Sequence, residues 1–189
     1  MDVKEAIQSR RAYRSLDPVE ITGEMIRDLA GSAGLAASCF NKQPWRFVFV
    51  TDPGVLKEMH GALSKGNEWI CHASMIVAVF TEKGMDCVVK GREYYLFDTG
   101  MAVAQMVLRA TELGLVAHPI AGFKQAKVKE ILTIPEEMTV ITLVNVGRKR
   151  EEMRPELSEG QIAAERQRPE RMPFEEFAYL NRYLSLIHI

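Results

Sequence analysis

Three segments of the sequence carry groups that could bind a charged ligand. The first, SRRAYR, places Arg10, Arg11 and Arg14 at the end of a predicted first helix. Planar guanidinium groups bind phosphate oxygens through paired hydrogen bonds, so this cluster could hold an anion. The alternative is a solvated surface, since positive side chains also suit the negative end of a helix dipole. Taken alone, the cluster favours that second interpretation.

The second segment is the loop SCFNKQPWR, which lies directly before a run of β-branched and aromatic residues. That run, Phe47–Val50, predicts a buried strand. Pro44 lacks a backbone donor, so the loop cannot simply lengthen the strand. The carboxamides of Asn41 and Gln43 indicate a surface that recognises a flat ligand with polar edges, and an ordinary solvated turn is the alternative. We assign Trp45 to packing.

The third segment is HPIAGF, His118–Phe123, which follows a predicted strand. Its proline and glycine bracket two residues and would fix an exposed stretch of backbone. The N–H groups of such a stretch can point at a ligand. Many ordinary turns have the same composition, so this segment is weak evidence by itself.

Several common kinds of site are absent from the sequence. It contains no GxGxxG or GxxxxGK[ST] phosphate-binding motif and no GxSxG or HExxH motif. The four histidines are scattered, so no metal site is expected. Cys39, Cys71 and Cys87 form no CxxC pair, which predicts neither a disulfide framework nor a zinc site, and we interpret all three as core thiols.

Charge and hydropathy exclude two classes of partner. A net charge of −1 argues against a nucleic-acid-binding protein, which needs a basic excess. The longest apolar run, Met75–Phe80, is far too short to span a bilayer, and no N-terminal signal-like segment precedes it. We therefore expect a cytoplasmic protein with no membrane partner.

The predicted elements that position these segments alternate between helices and strands, which indicates an α+β or α/β fold with one sheet flanked by helices. The predicted helices are Asp2–Arg10, Thr22 to about Ala30, Pro53 to about Leu63, about Arg92 to Leu113, and one through Val128 and Ile131. The predicted strands are Phe47–Thr51, Met75–Phe80, Leu115–Ala117 and Thr139–Gly147. The fourth helix is apolar on almost every side, so it belongs inside the domain or in a subunit interface.

The composition changes near the end of the chain. Half of the residues from Arg148 to Pro173 are charged, so this strap cannot bury enough surface to fold alone. It leads into the apolar segment FEEFAYLNRYL, which suggests an arm that reaches across a neighbouring subunit. A frayed tail is the alternative. The last residues, Ser185–Ile189, fit no recognisable pattern.

Taken together and in order, these segments resemble the FMN-dependent nitroreductase family. The likeness runs from Val3 to Arg148 through AIQSRRAYR, AASCFNKQPWRF, GNEWICHASMIVAV, DTGMAVAQMVLRATELGL, HPIAGF and VNVG. Asn-x-Gln-Pro-Trp before a strand is the most specific motif. The resemblance implies an α+β fold with a central, mostly antiparallel sheet and an intertwined homodimer with FMN at the subunit interface. Residues 1–147 would form the FMN-binding domain and residues 148–189 an arm that packs on the partner.

The resemblance also implies roles for individual residues. Arg10 and Arg11 would hold the FMN phosphate, and Arg14 would stabilise negative charge at the pyrimidine edge of reduced flavin. Asn67 would hydrogen-bond the same edge, the backbone at Ala121 and Gly122 would donate to flavin N5, and Arg171 would return to the phosphate. The remaining implied cofactor-binding residues are Ala12, Ala37, Ser38, Cys39, Asn41, Gln43, Pro119 and Ile120.

The implied activity is hydride transfer from NADH or NADPH through flavin N5 to a small acceptor such as a nitroaromatic or a quinone, with ping-pong kinetics. No side chain is required as an obligatory acid or base. The alternatives are an enzyme of the same family that acts on a specific natural substrate, by enone reduction or reductive dehalogenation, and a non-catalytic flavin- or anion-binding protein. The sequence does not choose between the two nicotinamides.

Two departures from the family pattern affect the expected site. Ala12 stands where the family usually has serine, so one hydroxyl contact to phosphate is missing. Only TEKGMDCVVKGREYY separates the predicted strand Met75–Phe80 from the long helix, where larger family members carry extra helices. A more open flavin site is therefore expected.

Overall fold

In a computed structural model, which describes residues 1–183, a five-stranded antiparallel sheet lies between two layers of helices. The last residues, Ser185–Ile189, lie outside this range. The helices are α1 Val3–Ser9, α2 Gly23–Gly34, α3 Pro53–His60, α4 Tyr95–Glu112, α5 Gln125–Leu132, α6 Glu159–Arg166 and α7 Phe174–Phe177. The strands are β1 Leu16–Asp17, β2 Arg46–Val50, β3 Met75–Thr81, β4 Val88–Val89, β5 Arg92–Glu93, β6 Val116–Ile120 and β7 Thr139–Lys149. Sheet order is β1-β7-β3-β2, with β6 also paired to β7, while β4 and β5 form a separate hairpin.

The centre of the sheet is built from the two longest strands, β3 and β7. Every residue of β3 is buried, and β7 pairs with β1, β3 and β6. Such a continuous apolar run is typical of a strand that is covered on both faces. The predicted α+β fold with a central antiparallel sheet is therefore confirmed.

Successive side chains of β3 enter different halves of the core, because side chains alternate across a strand. Met75, Val77 and Val79 pack with Ala102 of α4 and Leu29 of α2. The intervening residues pack on the other side, with Met59 of α3 and Val128 of α5. The sheet is thus the middle layer of three.

Two helices begin where the sequence predicts a capping residue. Thr22 and Asp52 accept hydrogen bonds as N-caps of α2 and α3, as these residue types favour. Helix α3 stops earlier than predicted, at His60, because Gly61 follows. Helix α4 begins at Tyr95 instead of about Arg92, since Arg92–Glu93 is paired in the short hairpin.

The prediction that Phe47–Val50 forms a buried strand is wrong for the single chain. Strand β2 lies at the edge of the sheet, so most of its residues are only half-buried. On α1 only Ala6 is buried, while Val3 and Ile7 are exposed. Helix α4 is apolar as predicted, but Phe97 is 62% exposed.

The charged strap after β7 folds back on its own chain. Ser158 and Gln161 form a capping box at the start of α6, and Leu157 is buried. Arg154 Nη2 donates a hydrogen bond to Leu16 O at 2.6 Å. The division into a domain of residues 1–147 and an arm that packs on a partner stays a prediction. None of the helices within residues 1–183 combines the length and apolar character needed to cross a membrane.

Candidate functional site

The predicted arginine cluster lines a small cavity between the end of α1 and the chain after α6. The cavity has a volume of about 140 Å³. Its walls are Arg10, Arg11, Ala12, Arg14, Ala164, Arg168, Pro169 and Arg171. The structure therefore brings Arg171 to the three N-terminal arginines across about 160 residues of sequence.

Positive charges face one another in this cavity. Burial lowers the pKa of the Arg10 guanidinium, and the nearby charges of Arg168, Arg171 and Arg11 lower it further. Burial also lowers the pKa of Arg14, against the opposite effect of Glu165. A polyanion held between these side chains would relieve their mutual repulsion, so the cavity suits a phosphate group.

Glu165 holds the arginine segment in place and was missed by sequence reasoning. Its buried carboxylate accepts hydrogen bonds from Ser15 N and Ser15 Oγ, both at 2.7 Å, and from Arg14 N. Arg168, also missed, donates to Gln8 O at 2.6 Å and to Arg10 O at 2.8 Å. The capping signal at Ser158 was the one sequence feature that could have revealed the helix carrying Glu165.

His118 connects the arginine segment to β6. Its Nδ1 lies 3.0 Å from Tyr13 O, and because a carbonyl only accepts, Nδ1 is the protonated nitrogen. The ring stacks on Trp69 with 4.8 Å between centroids. Burial, which outweighs the hydrogen bond to Tyr13, lowers the pKa of His118 to about 4. The ring is therefore neutral at pH 7.

The HPIAGF segment differs from its prediction because β6 continues through Ile120. Pro119 is tolerated inside the strand since β6 pairs only with β7. Asn67 Nδ2 donates to Gly122 O at 3.0 Å, so the structure brings these two predicted site residues together. A Cβ on Gly122 would lie 2.5 Å from Asn67 Nδ2, which explains why a glycine is needed for this contact. Ala121 is exposed beside them.

The loop after α2 holds the other predicted site residues in a strained turn. Phe40, Asn41 and Gln43 have φ values of 48°, 56° and 50°, a conformation that few non-glycine residues adopt. Ser38 Oγ accepts a hydrogen bond from Gln43 N at 3.0 Å and so closes the turn. Ala37, like Asn41, is exposed. A backbone held in this way is typical of functional loops.

Two contacts anchor this loop on β3 and α4. Thr81 Oγ1 donates to Pro44 O at 2.9 Å, and Asp98 Oδ2 accepts from Cys39 N at 2.6 Å. Trp45 is buried in the core, so its assignment to packing is confirmed. The loop is thus held by β3 and α4, which do not line the arginine cavity. In one chain the candidate site therefore has two separate parts, the loop at residues 37–43 and the arginine cavity.

The prediction for the cysteines is wrong. Cys39 and Cys87 form a disulfide, and Cys71 is exposed. The two bonded residues are 48 positions apart, so no local spacing motif could indicate the pairing. Cys39, predicted to lie against the flavin, is therefore part of a cross-link.

Comparison with known proteins identifies the fold and the family. The model of the nitroreductase family matches residues 7–148, which is most of the chain. The chain belongs to the nitroreductase family. Its similarity to individual family members is distant, so the family is established and the substrate is not.

Three similar proteins illustrate this distance. A Bacillus subtilis (strain 168) protein provisionally assigned as an NAD(P)H nitroreductase, YdgI, is 24% identical over 188 residues, covering 80% of this chain and 90% of that protein. A crystal structure described as an oxidoreductase containing FMN is 26% identical, with a TM-score of 0.82 and coverage of 98% and 94%. A provisionally assigned nitroreductase from Exiguobacterium sibiricum 255-15, solved in complex with FMN, is 21% identical, with a TM-score of 0.78 and coverage of 96% and 98%. The last of these shows the shared fold alone.

Proposed function

We propose that this nitroreductase-family protein is an FMN-dependent oxidoreductase that oxidises NADH or NADPH and reduces a small acceptor such as a nitroaromatic or a quinone. The observation that carries the proposal is the cavity shared by five arginines, with the Asn67–Gly122 contact as a second element of the site. Bound FMN would supply the hydride chemistry. The protein would contribute binding, orientation and charge.

The cavity fits the phosphate end of FMN. Arg10, Arg11 and Arg171 present guanidinium groups to one space, and bidentate guanidinium contacts suit a dianionic phosphate. Arg11 Nη2 already donates to Ala164 O at 2.8 Å, so its side chain is oriented before any ligand binds. Ordered side chains lose less entropy on binding, which favours affinity.

Arg14 would act on the ring system. It lines the same cavity, and its backbone N–H donates to Glu165 Oε1. A half-buried cation stabilises nearby negative charge more strongly than a solvated one, because local screening is weaker. We assign Arg14 and Asn67 to the pyrimidine edge, where negative charge develops on reduction.

A second subunit would complete the site. The loop at residues 37–43 rests on elements other than those that build the arginine cavity, and several apolar side chains are exposed. An apolar cavity of about 460 Å³ lies between α1, α2 and α4, lined in part by Val3, Leu35 and Leu108. Phe177 of α7 is 59% exposed. A second copy of the chain would cover these surfaces and bring its loop to the partner's flavin, as a C₂ homodimer allows.

Flavin content tests the binding part of the proposal. The purified protein is expected to be a yellow dimer that contains FMN rather than FAD. The Arg10→Ala/Arg11→Ala double variant is expected to lose FMN but keep its fold, because neither residue is in the core. The double variant Arg27→Ala/Arg148→Ala removes two exposed arginines elsewhere and should keep full flavin content.

Anaerobic stopped-flow spectroscopy tests the catalytic part. NADH or NADPH should bleach the flavin, and a nitroaromatic or quinone should restore its colour, with ping-pong steady-state kinetics. Bleaching by another donor alone would preserve the oxidoreductase class and overturn the choice of nicotinamide. A flavin that no donor and acceptor can turn over would favour the non-catalytic alternative.

The two alternatives for the physiological acceptor are a general acceptor and a specific natural substrate. Enone reduction and reductive dehalogenation are the two reactions that the acceptor panel must include. A single acceptor with a far higher kcat/KM than all others would favour the specific enzyme. The cytoplasmic location stays a prediction.

A further inference from the structure

The Cys39–Cys87 disulfide joins the two segments that flank one side of the candidate site. Cys39 begins the short 3₁₀ turn Cys39–Asn41, and Cys87 directly precedes the β4–β5 hairpin. The Cα atoms of the two cysteines are 6.2 Å apart. The bond therefore ties the strained loop to the short segment between β3 and α4.

Two carboxyl groups lie beside this bond. Asp86 Oδ1 accepts a hydrogen bond from Cys87 N at 2.7 Å and lies 3.4 Å from Cys87 Sγ. Asp98, at the start of α4, is buried and accepts from Cys39 N at 2.6 Å. Each cysteine thus has an acidic neighbour, and that of Cys87 places an oxygen against the sulfur.

Asp86 is held in conditions that favour its protonated form. Its Oδ2 is buried and has no hydrogen-bond partner among residues 1–183. Burial raises the pKa of Asp86, and the carboxyl of Asp98 raises it as well, against the lowering effects of the Cys87 N–H and of Lys42. A raised pKa increases the share of the carboxyl that is protonated at a given pH, and a protonated carboxyl beside a sulfur can serve as an acid.

We propose that the Cys39–Cys87 disulfide is a redox-active site that small dithiols reduce, with Asp86 as the acid that protonates the departing Cys87 sulfur. The dithiol's thiolate attacks Cys39 Sγ, forming a mixed disulfide and breaking the Cys39–Cys87 bond. Cys87 leaves and takes the Asp86 proton. The second thiol of the reagent then closes on the first, releasing Cys39, which takes a proton from water.

The electrons and protons balance in this sequence. The dithiol loses two electrons and two protons and becomes a cyclic disulfide, while the protein gains two thiols. Asp86 recovers its proton from solvent. The position of Asp86 next to Cys87 assigns that sulfur as the leaving group, because a leaving sulfur departs faster when its negative charge is neutralised.

Reduction would remove the cross-link that holds the β4–β5 hairpin to the loop at residues 37–43. The β4–β5 hairpin has only two residues in each strand, and two-stranded hairpins are marginally stable alone. Its turn contains Lys90 and Gly91, both with positive φ. Without the disulfide, the hairpin and the loop at residues 37–43 would separate more readily, which would open one side of the site.

Thiol counting tests the existence of the site and does not depend on FMN. The chain has three cysteines, so the air-oxidised full chain, labelled after unfolding, should show one thiol, from Cys71. After excess dithiothreitol it should show three. The Cys71→Ser control should show no thiol before dithiothreitol and two thiols after it. Three thiols in the oxidised protein, or a different pair in a peptide map, would overturn the proposal.

The rate of reduction tests the acid. Asp86→Asn keeps the size of the side chain and removes its proton, so the rate per dithiothreitol thiolate should fall roughly tenfold or more. In the unsubstituted protein this normalised rate should decrease as pH rises and Asp86 loses its proton, whereas in Asp86→Asn it should be flat. Glu82→Gln, a nearby carboxyl, is the matched control. Equal rates and equal pH profiles for Asp86→Asn and the unsubstituted protein would show that Asp86 is not the acid.

Limited trypsin digestion tests whether the disulfide holds the β4–β5 hairpin in place. Lys90 and Arg92 are exposed in the hairpin. Cleavage there should be several-fold faster after reduction, and Cys87→Ser should be cleaved at the fast rate with or without dithiothreitol. Equal cleavage of the oxidised and reduced forms would show that the disulfide does not hold the hairpin in place. Failure of FMN binding, by contrast, would leave all three measurements unchanged.

Discussion

The Nδ1 atom of His118 donates a hydrogen bond to the carbonyl oxygen of Tyr13, 3.0 Å away. The contact joins β6, which leads to the Gly122 loop, to the segment that carries Arg10, Arg11 and Arg14. Asn145 Nδ2 in turn donates to His118 O at 3.1 Å. A buried neutral imidazole therefore fixes the segment that carries the arginines relative to the sheet.

Stability should depend on pH through His118. Its pKa is about 4 in the folded chain and near 6.5 in the unfolded chain, so the unfolded state binds the proton first as pH falls. This contribution to the free energy of unfolding is fully present above pH 6.5 and is lost between pH 6.5 and 4. The loss is about 3 kcal/mol.

The variant His118→Asn separates this effect from that of the carboxylates. Asparagine can still donate to Tyr13 O but does not titrate. Urea unfolding between pH 7 and 4 should give a smaller pH slope for the variant, even though its stability at pH 7 is lower because the stacking on Trp69 is lost. An unchanged slope would contradict the assignment.

Glu165 should be among the most sensitive positions outside the core. Glu165→Ala leaves the N–H groups of Arg14 and Ser15 and the Ser15 hydroxyl without their acceptor, which should reduce the free energy of unfolding by about 2–3 kcal/mol. FMN affinity should fall as well. Urea unfolding and flavin titration measure the two effects, and Glu151→Ala, at an exposed site, should change neither.

Gly122 and Asn67 should be energetically coupled. In Gly122→Ala the new methyl group displaces the Asn67 amide and breaks its hydrogen bond, at a cost of about 1 kcal/mol. In an Asn67→Ala background the same substitution should cost less, because the amide is no longer there. A double-mutant cycle by urea unfolding checks this, and additive effects would show that the two residues are independent.

Ala12→Ser should strengthen FMN binding. Ala12 is exposed on the wall of the arginine cavity, so a hydroxyl there can reach the phosphate without disturbing the core. One added hydrogen bond of about 0.5–1.5 kcal/mol corresponds to a roughly two- to tenfold lower Kd. Riboflavin, which has no phosphate, should bind both forms equally, and Ala12→Val should show no gain.

The sequence alone determined the framework of this protein. Strand β3 was predictable because a continuous apolar run of this length is typical of a strand covered on both faces, and β7 because its segment TVITLVNVG is rich in β-branched residues. The arginine cluster and the order of the motifs were also visible locally, and they led to the correct family. These features depend on neighbours in the chain, which a sequence records directly.

Tertiary structure decided which distant groups meet. Glu165 comes to Arg14 and Ser15 from about 150 positions away, and Cys39 meets Cys87 across 48. Neither contact has a local signature, because it depends on how α6 and the segment before α4 pack against the sheet. The low pKa of His118 has the same origin, since burial and not residue type removes the water that would stabilise its charge.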